Sequence, residues 1–179
     1  MVSEQARRSI ETLFGKAVRA NLAVDRETDV IDVSVNYSAS ADRPGTCLHV
    51  LTIASYLFRL TTVFHLPQDP AVSAYFTRQG EAGSLTEVFG EMANMCCGAM
   101  NRELGHHFMH LGMSTPNVLD SACVPFFDEL KANYIARQRI SINHAIAIDA
   151  TLFLKAYAPI DFRIDAGAPV EETGTIELF

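Results

Sequence analysis

Two polar side chains, Glu91 and Asn94, have the chemistry and the spacing to act together on a bound molecule. If the surrounding segment is helical, residues three apart lie one turn apart on the same side. The pair then presents a carboxylate beside a carboxamide, which both donates and accepts hydrogen bonds. Gly90 and Gly98 flank the pair, although each glycine inside a helix costs about 1 kcal/mol relative to alanine. These glycines indicate that a partner comes close to this side of the helix.

The segment 84–110 is predicted to form the long helix that carries the pair. Ser84 begins this helix as its N-cap, and Glu87 three residues later completes a capping box. At about 100° of rotation per residue, the apolar side chains form one broad stripe, which is typical of a helix lying on a sheet. The stripe contains Leu85, Val88, Phe89, Met92, Cys96, Ala99 and Met100. The opposite side contains Glu87, Glu91, Asn94, Gly98, Asn101 and Gly105.

The other elements must hold this helix against a sheet. A first helix capped by Ser3 reaches residue 19, and a short helix covers 71–78. Alternating apolar and polar residues predict strands at 30–37, 47–53, 56–65, 118–124, 135–142 and 145–157. The first three strands follow one another directly, which favours an antiparallel meander. The predicted fold class is therefore α+β, an antiparallel sheet with long helices packed on one side.

The chain is predicted to form one domain at 1–160, followed by a C-terminal tail at 161–179. A short internal repeat offers an alternative division into halves at 1–80 and 81–160, because TLFGK at 12–16 aligns with EVFGE at 87–91. In that register Lys16 and Arg19 take the places of Glu91 and Asn94. Only the second half would then carry the acid and amide pair.

Composition restricts the kinds of partner. A hydrophobic share of 49% in 179 residues is enough for a proper core. A net charge of −7 argues against nucleic acid, whose phosphates bind basic surfaces. We expect no membrane span, because the most apolar region, 47–64, is interrupted by His49 and Arg59. We expect a cytoplasmic protein, because the N-terminal residues are charged and amphipathic.

The sulfur-containing residues of the long helix are predicted to be core residues. Four cysteines, two of them adjacent at Cys96 and Cys97, do not make a disulfide framework. A reactive thiol needs a cationic neighbour, and none lies within one turn of this pair. Met92, Met95 and Met100 are likewise predicted to pack in the core.

The sequence around the pair resembles the signature of the CheC, CheX and FliY phosphatases of bacterial chemotaxis. The matching residues are GEMANM at 90–95, Gly98, LGMSTP at 111–116 and Val118. In that family the signature joins a Glu-x-x-Asn helix to a downstream proline, which corresponds here to Pro116. Because the chain has one convincing Glu-x-x-Asn helix, it resembles the single-site CheX arrangement, in which family members pair as homodimers.

The resemblance implies a CheC/CheX-like fold and a phosphatase that acts on a phosphorylated CheY-type response regulator. Asn94 would orient the water that attacks the regulator's aspartyl phosphate, and Glu91 would pair with a lysine of the regulator. No cofactor of the protein's own is expected, because the regulator holds the Mg²⁺ that the reaction uses. The same partner would contact Glu87, Gly90, Gly98 and Asn101, while Pro116 would shape the chain beside the helix.

Two alternatives remain beside this interpretation. In the first, the protein keeps the fold but serves as a non-catalytic binding or adaptor module in signalling or flagellar assemblies. In the second, the cluster of His106, His107 and His110 holds a zinc ion, since His106 and His110 are one helical turn apart. Glu103 and His106 form one Glu-x-x-His, which resembles half of a di-iron site. A second Glu-x-x-His and a further ligand are missing from the sequence, so we expect no metal site there.

Overall fold

We describe the fold from a computed structural model of the chain. The structure describes residues 1–36, 45–78 and 83–165. The turn-rich segment 38–45 and the segment 79–83, which the sequence predicts to be connections, fall almost entirely outside these ranges, as does the tail from residue 166.

Three α-helices form in the described residues, and each begins at a polar residue that caps it. They are α1 (Glu4–Asn21), α2 (Pro70–Phe76) and α3 (Leu85–Gly105). The side chains of Ser3, Asp69 and Ser84 each accept a hydrogen bond from a backbone N–H of the first helical turn. The predicted caps at Ser3 and Ser84 are therefore confirmed. No helix in the described ranges has the length and apolar character needed to cross a membrane.

One antiparallel sheet contains all the strands of the described residues. The strands are β1 (Ile31–Val35), β2 (Thr46–Ala54), β3 (Phe58–Pro67), β4 (Gly112–Met113), β5 (Asn117–Asp120), β6 (Tyr134–Ile142) and β7 (Ile146–Ala156). Their spatial order is β1-β6-β7-β3-β2-β4, and β5 also pairs with β2 beyond β4. Every pairing between these strands is antiparallel, which confirms the predicted kind of sheet. The predicted meander of the first three strands is wrong, because β1 pairs with β6 and not with β2.

The core lies between one face of this sheet and the two long helices. Phe14 of α1 and Phe89 of α3 both pack on Phe64 of β3, with ring centroids 5.8 and 5.7 Å apart. The same face buries alternate residues of the central strands, as a half-covered sheet requires. The predicted two-layer α+β fold, with helices on one side, is confirmed.

The opposite face of the sheet is partly covered by a 3₁₀ helix, Ser121–Leu130. Its apolar side chains pack on Leu48, Val63 and Phe153, and the rings of Phe127 and Phe153 lie 5.4 Å apart. This helix replaces the second part of the strand predicted at 118–124. The physical reason is that Pro125 cannot donate to a sheet. Asp120 signals the change, because its side chain accepts from the Ala122 N–H and so begins the helix.

Helix α3 ends at Gly105, five residues before the predicted end at residue 110. After Gly105 the chain turns so that Phe108 packs edge to face on Phe58 and Phe162, with centroids 5.0 and 5.2 Å away. A straight continuation of the helix would separate Phe108 from these rings. Tertiary packing therefore overrides the local helical pattern here.

The sheet order has an approximate twofold pattern. Strands β3 and β7 pair at the centre, and each belongs to a hairpin, with β2 and β6 respectively. Strand β1 then pairs with the hairpin of the second half, while β4 and β5 pair with that of the first. This is the arrangement expected if two similar halves exchange a strand. Gly15 and Gly90, which align in the sequence repeat, are both buried.

The described start of the predicted tail, residues 161–165, packs on α1. The Ser9 hydroxyl donates to the Phe162 carbonyl oxygen at 3.1 Å and accepts from the Ile164 N–H at 3.0 Å. The Phe162 side chain is buried. The boundaries at residues 80 and 160 stay predictions.

Candidate functional site

Helix α3 is fixed at its N-terminus by the predicted capping box. The Ser84 hydroxyl oxygen accepts from the Glu87 N–H at 3.3 Å, and the Glu87 carboxylate accepts from the Ser84 N–H at 2.7 Å. The backbone hydrogen bond from Ser84, together with one from its hydroxyl, lowers the pKa of Glu87. This structural role accounts for Glu87, so its contact with a partner stays a prediction.

The inner side of α3 is held by small buried residues that let α1 approach closely. Cys96 and Cys97 are both buried, and the Cys96 thiol donates to the Ala17 carbonyl oxygen of α1 at 3.6 Å. Burial raises the pKa of the Cys97 thiol to about 12, so it is neutral at ordinary pH. The prediction that both cysteines are reduced core residues is confirmed.

The outer side of α3 presents Glu91 and Asn94. Glu91 is exposed and Asn94 is half-buried. Within residues 1–36, 45–78 and 83–165, neither side chain has a hydrogen-bond or ion-pair partner. A carboxylate and a carboxamide one turn apart are therefore both available to a molecule that docks on this side of the helix.

Two further residues of this exposed side were not anticipated. Met95 is 42% exposed, so its assignment to the core is wrong, whereas Met100 is buried as predicted. Met95 lies four residues after Glu91, and the rotation that turns Glu91 outward turns Met95 outward as well. Arg102 is also exposed on this side. Because methionine is apolar, its residue type predicts a buried position for Met95, whereas the helical wheel predicts an exposed one.

The two glycines beside the pair occupy different environments. Gly90 is buried, and a Cβ at this position would lie 3.7 Å from two ring atoms of His49 on β2. Its placement on the accessible side is therefore wrong, because the flank of α3 that carries Gly90 packs on the sheet. Gly98 is half-buried, and a Cβ there would meet the Arg102 guanidinium at 3.6 Å. Of these two glycines, only Gly98 lies on the outer side.

His49 of β2 packs against the first turns of α3. The residue is fully buried, and its ring packs edge to face on Phe89 with centroids 5.0 Å apart. Among the described residues its Nδ1 has no hydrogen-bond partner. Burial lowers the pKa of His49 to about 4, so the ring is neutral at pH 7. His49 thus supports α3 as an uncharged core residue.

Pro116 lies at an irregularity of the sheet edge next to α3. Ile53 pairs with Met113 and Val50 with Asn117, so the edge carries one residue more than β2 between these pairs. This is a β-bulge, and a residue without an N–H fits there. The structural role predicted for Pro116 agrees with this position. Asn101 lies on α3 two turns after Asn94. It is half-buried, and its Oδ1 has no partner among the described residues.

The three histidines do not have the helical spacing that a zinc site at His106 and His110 would require. His106, His107 and His110 follow the end of α3, so His106 and His110 are not one turn apart on a helix. All three are exposed, and the His107 ring packs near Phe162 at 5.3 Å. In the part of the chain that the structure describes, no three His, Cys, Asp or Glu side chains come together as a metal site would require.

Several solved structures have a fold similar to that of this chain. A CheC-like chemotaxis protein of Shewanella oneidensis superposes with a TM-score of 0.57 at 12% identity, covering 82% of this chain and 97% of the other. CheX in a CheX–CheY–BeF3–Mg²⁺ complex of Borrelia burgdorferi gives 0.50 at 11% identity, covering 82% and 97%. The FliM middle domain of Vibrio alginolyticus gives 0.54 at 11% identity, covering 84% and 93%.

No protein-family model matches the sequence, and no curated protein matches it either. The structural likenesses nevertheless span nearly the whole length of each solved chain. The chain therefore has the CheC/CheX fold, and the resemblance first indicated by Glu91, Asn94 and Pro116 is confirmed at the level of that fold.

Proposed function

We propose that the protein binds a phosphorylated CheY-type receiver domain and accelerates the hydrolysis of its aspartyl phosphate. One observation carries this proposal: Glu91 and Asn94 project from the same outer turn of α3, and neither side chain is engaged by the described residues. The capped and well-packed helix holds both at fixed spacing. Such positioning is the main contribution that an acyl phosphate requires, because it is already an activated species.

Asn94 acts on the attacking water. Its amide oxygen accepts a hydrogen bond from the water and its amide N–H₂ donates to a phosphoryl oxygen, which places the water in line with the bond that breaks. The water oxygen forms a bond to phosphorus as the bond to the aspartyl oxygen breaks. The aspartate leaves as a carboxylate, and the oxygen of the attacking water becomes part of the inorganic phosphate. One proton of that water passes to phosphate or to solvent. Mg²⁺ in the receiver would neutralise the phosphoryl charge.

Glu91 fixes the register between the two proteins. Its exposed carboxylate would pair with a lysine at the rim of the receiver pocket, one helical turn from Asn94. The pairing would bring the Asn94 amide over the phosphoryl group. The complex of CheX with CheY from Borrelia burgdorferi supports a receiver as the kind of partner for a protein of this fold.

Substitution of Glu91 by alanine is expected to weaken receiver binding and to change turnover less. Loss of a charge-assisted hydrogen bond costs about 1.5 to 3 kcal/mol, which corresponds to about a 10- to 150-fold rise in KM. Steady-state phosphate release measures KM and kcat, and calorimetry with a beryllofluoride-activated receiver measures affinity. Glu103→Ala, on the same helix, is the matched control and should retain wild-type affinity. An unchanged KM for Glu91→Ala would remove Glu91 from the interface.

A non-catalytic adaptor is the second candidate function, and the likeness to the FliM middle domain favours it. An adaptor would use the same outer side of α3 for binding without accelerating hydrolysis. The lifetime of the receiver's aspartyl phosphate distinguishes the two functions. Both predict binding to a receiver, but only the phosphatase shortens this lifetime.

A homodimer stays a prediction, and the exposed β5 strand is where we expect it to form. Val118 and Leu119 on this edge strand are 50% and 37% exposed, and an apolar strand edge favours pairing with a second copy. Light scattering is expected to give twice the chain mass of 19.7 kDa. Val118→Lys combined with Leu119→Lys should give the single mass. A monomeric wild type, or a variant that still dimerises, would exclude pairing through β5.

A further inference from the structure

Two cations lie side by side on the sheet face opposite α1 and α3. Arg59 of β3 and Lys155 of β7 are directly opposite each other in the antiparallel register. Their neighbours Leu60 and Leu154 belong to the core under the helices, so strand alternation turns Arg59 and Lys155 to the other face. Like charges in a cross-strand pair destabilise a sheet. Neither cation has an ion-pair partner among the described residues.

Among the described residues, the surrounding elements supply no carboxylate partner for this pair. The 3₁₀ helix ends nearby at Leu130, and a helix C-terminus attracts cations. However, neither Arg59 nor Lys155 donates a hydrogen bond to it within the described residues. Glu129, in the last turn of this helix, pairs with Lys131 at 3.3 Å. Among the described residues, therefore, no carboxylate forms an ion pair with Arg59 or Lys155.

Exposed aromatic residues lie at the same end of the sheet. Tyr56 is 69% and Tyr157 is 54% exposed. The Tyr157 N–H donates to the Leu57 carbonyl oxygen at 2.8 Å, so Tyr157 lies against the hairpin turn that carries Tyr56. A shallow depression beside the cations is lined by Thr61, Leu130, Ala132 and Phe153. Tyrosine and arginine are enriched in protein interfaces, where they contribute much of the binding energy.

We propose that this Arg59–Lys155 surface, formed by Tyr56, Arg59, Lys155 and Tyr157, binds an acidic segment of a partner protein. Carboxylates of the segment would relieve the repulsion between the cations, and the arginine fork suits a carboxylate in bidentate geometry. The tyrosines would pack on the stems of the acidic side chains. Two cations on a chain of net charge −7 are too few to hold a nucleic acid backbone.

The position of this surface gives it a separate function from α3. It lies on the opposite face of the sheet from Glu91 and Asn94, so an acidic segment and a receiver can be bound at the same time. The acidic segment would hold the protein in an assembly without blocking the outer side of α3. This inference does not depend on phosphatase activity.

A fluorescein-labelled glutamate-rich peptide tests the proposal by anisotropy, with the same peptide carrying glutamine for glutamate as the reference. The acidic peptide is expected to bind and to be released by salt, and the glutamine peptide is not. Arg59→Ala with Lys155→Ala should weaken binding by about tenfold or more, the effect of losing a hydrogen bond to a charged group. The control, Arg26→Ala with Arg163→Ala, removes two exposed cations elsewhere on the protein and should bind normally.

Lys155→Glu supplies a second readout that a purely structural cation would not give. It converts a like-charge pair into an opposite-charge pair, so the thermal midpoint should rise while the peptide is no longer bound. Three results would overturn the proposal: no binding by the wild type, equal losses in the Arg26 and Arg163 control, or tighter binding of a single-stranded oligonucleotide than of the peptide. A fall in the midpoint of Lys155→Glu would also contradict it, because Lys155 would then stabilise the fold.

Discussion

Asn94→Ala is expected to abolish most of the acceleration of receiver dephosphorylation while the protein still binds the receiver. The amide is the group that we place on the attacking water, and loss of such a positioning contact costs about 100-fold or more in rate. The variant should fold normally, since Asn94 has no side-chain partner among the described residues to lose. Phosphate release at saturating receiver gives kcat, and calorimetry with a beryllofluoride-activated receiver gives the affinity.

Asn101→Ala is the matched control, because it removes the same kind of side chain from the same flank of the same helix. Asn101 is half-buried and lies seven residues after Asn94, two turns farther along α3. We expect this variant to retain kcat and to change KM at most. If Asn94→Ala keeps the wild-type kcat, the water has another ligand and the proposed mechanism is wrong.

Asp29→Ala is expected to cause the largest loss of stability of the substitutions considered. The Asp29 carboxylate joins three parts of the fold by accepting from the Tyr75 hydroxyl at 2.7 Å, the Arg78 guanidinium at 2.6 Å and the Asn143 amide at 2.8 Å. Its side chain is only 2% exposed. Removal leaves these donors without their acceptor, which costs about 3 kcal/mol and lowers the thermal midpoint by about 6 to 12 °C.

The same carboxylate makes stability depend on acid pH. Burial acts to raise its pKa, but hydrogen bonds from the Asp25 backbone, Asn143 and Tyr75, with the charge of Arg78, outweigh burial and lower it to about 2. The unfolded chain titrates near the ordinary value of 3.8 and therefore binds the proton first as the pH falls. The stabilisation is present above about pH 4 and is lost as the pH falls through about 2.

Denaturant unfolding at pH 7 and between pH 4 and 2 should show this dependence in the wild type and a weaker one in Asp29→Ala. Asp32→Ala is the control, since Asp32 is exposed on the neighbouring strand β1 and should change stability by less than about 0.5 kcal/mol. A loss at Asp32 equal to that at Asp29 would mean that the Asp29 contacts do not stabilise the fold.

The helices and most strands were predictable because their determinants are local. Ser3 and Ser84 cap α1 and α3 through side chains a few residues from the N–H groups that they accept. Period-two alternation identified β6 and β7. The end of α3 and the 3₁₀ helix were not predictable in this way, because contacts distant in sequence determine them. Phe108 must reach Phe162, and Phe127 must reach Phe153.

The outer side of α3 was predictable at Glu91, since the helical wheel alone turns it outward. Residue type is misleading at Gly90 and Met95, because the glycine is buried and the methionine is exposed. Gly90 sits over His49, a neighbour 41 positions away in sequence that no helical pattern could indicate. The Asp29 contacts to Tyr75 and Asn143 are equally invisible in the sequence, because they join segments that only the folded chain brings together.

The lifetime of an aspartyl phosphate is the most direct test of the central claim that Glu91 and Asn94 together catalyse its hydrolysis. Receiver domains of the CheY type from the same genome are phosphorylated with a small phosphodonor, and phosphate release is followed with and without a catalytic amount of the protein. The account predicts that the wild type shortens the lifetime of at least one receiver by about 10-fold or more, and that a variant carrying both Glu91→Ala and Asn94→Ala does not. A receiver that binds the wild type tightly, yet loses its phosphate at the same rate with and without it, would contradict the account.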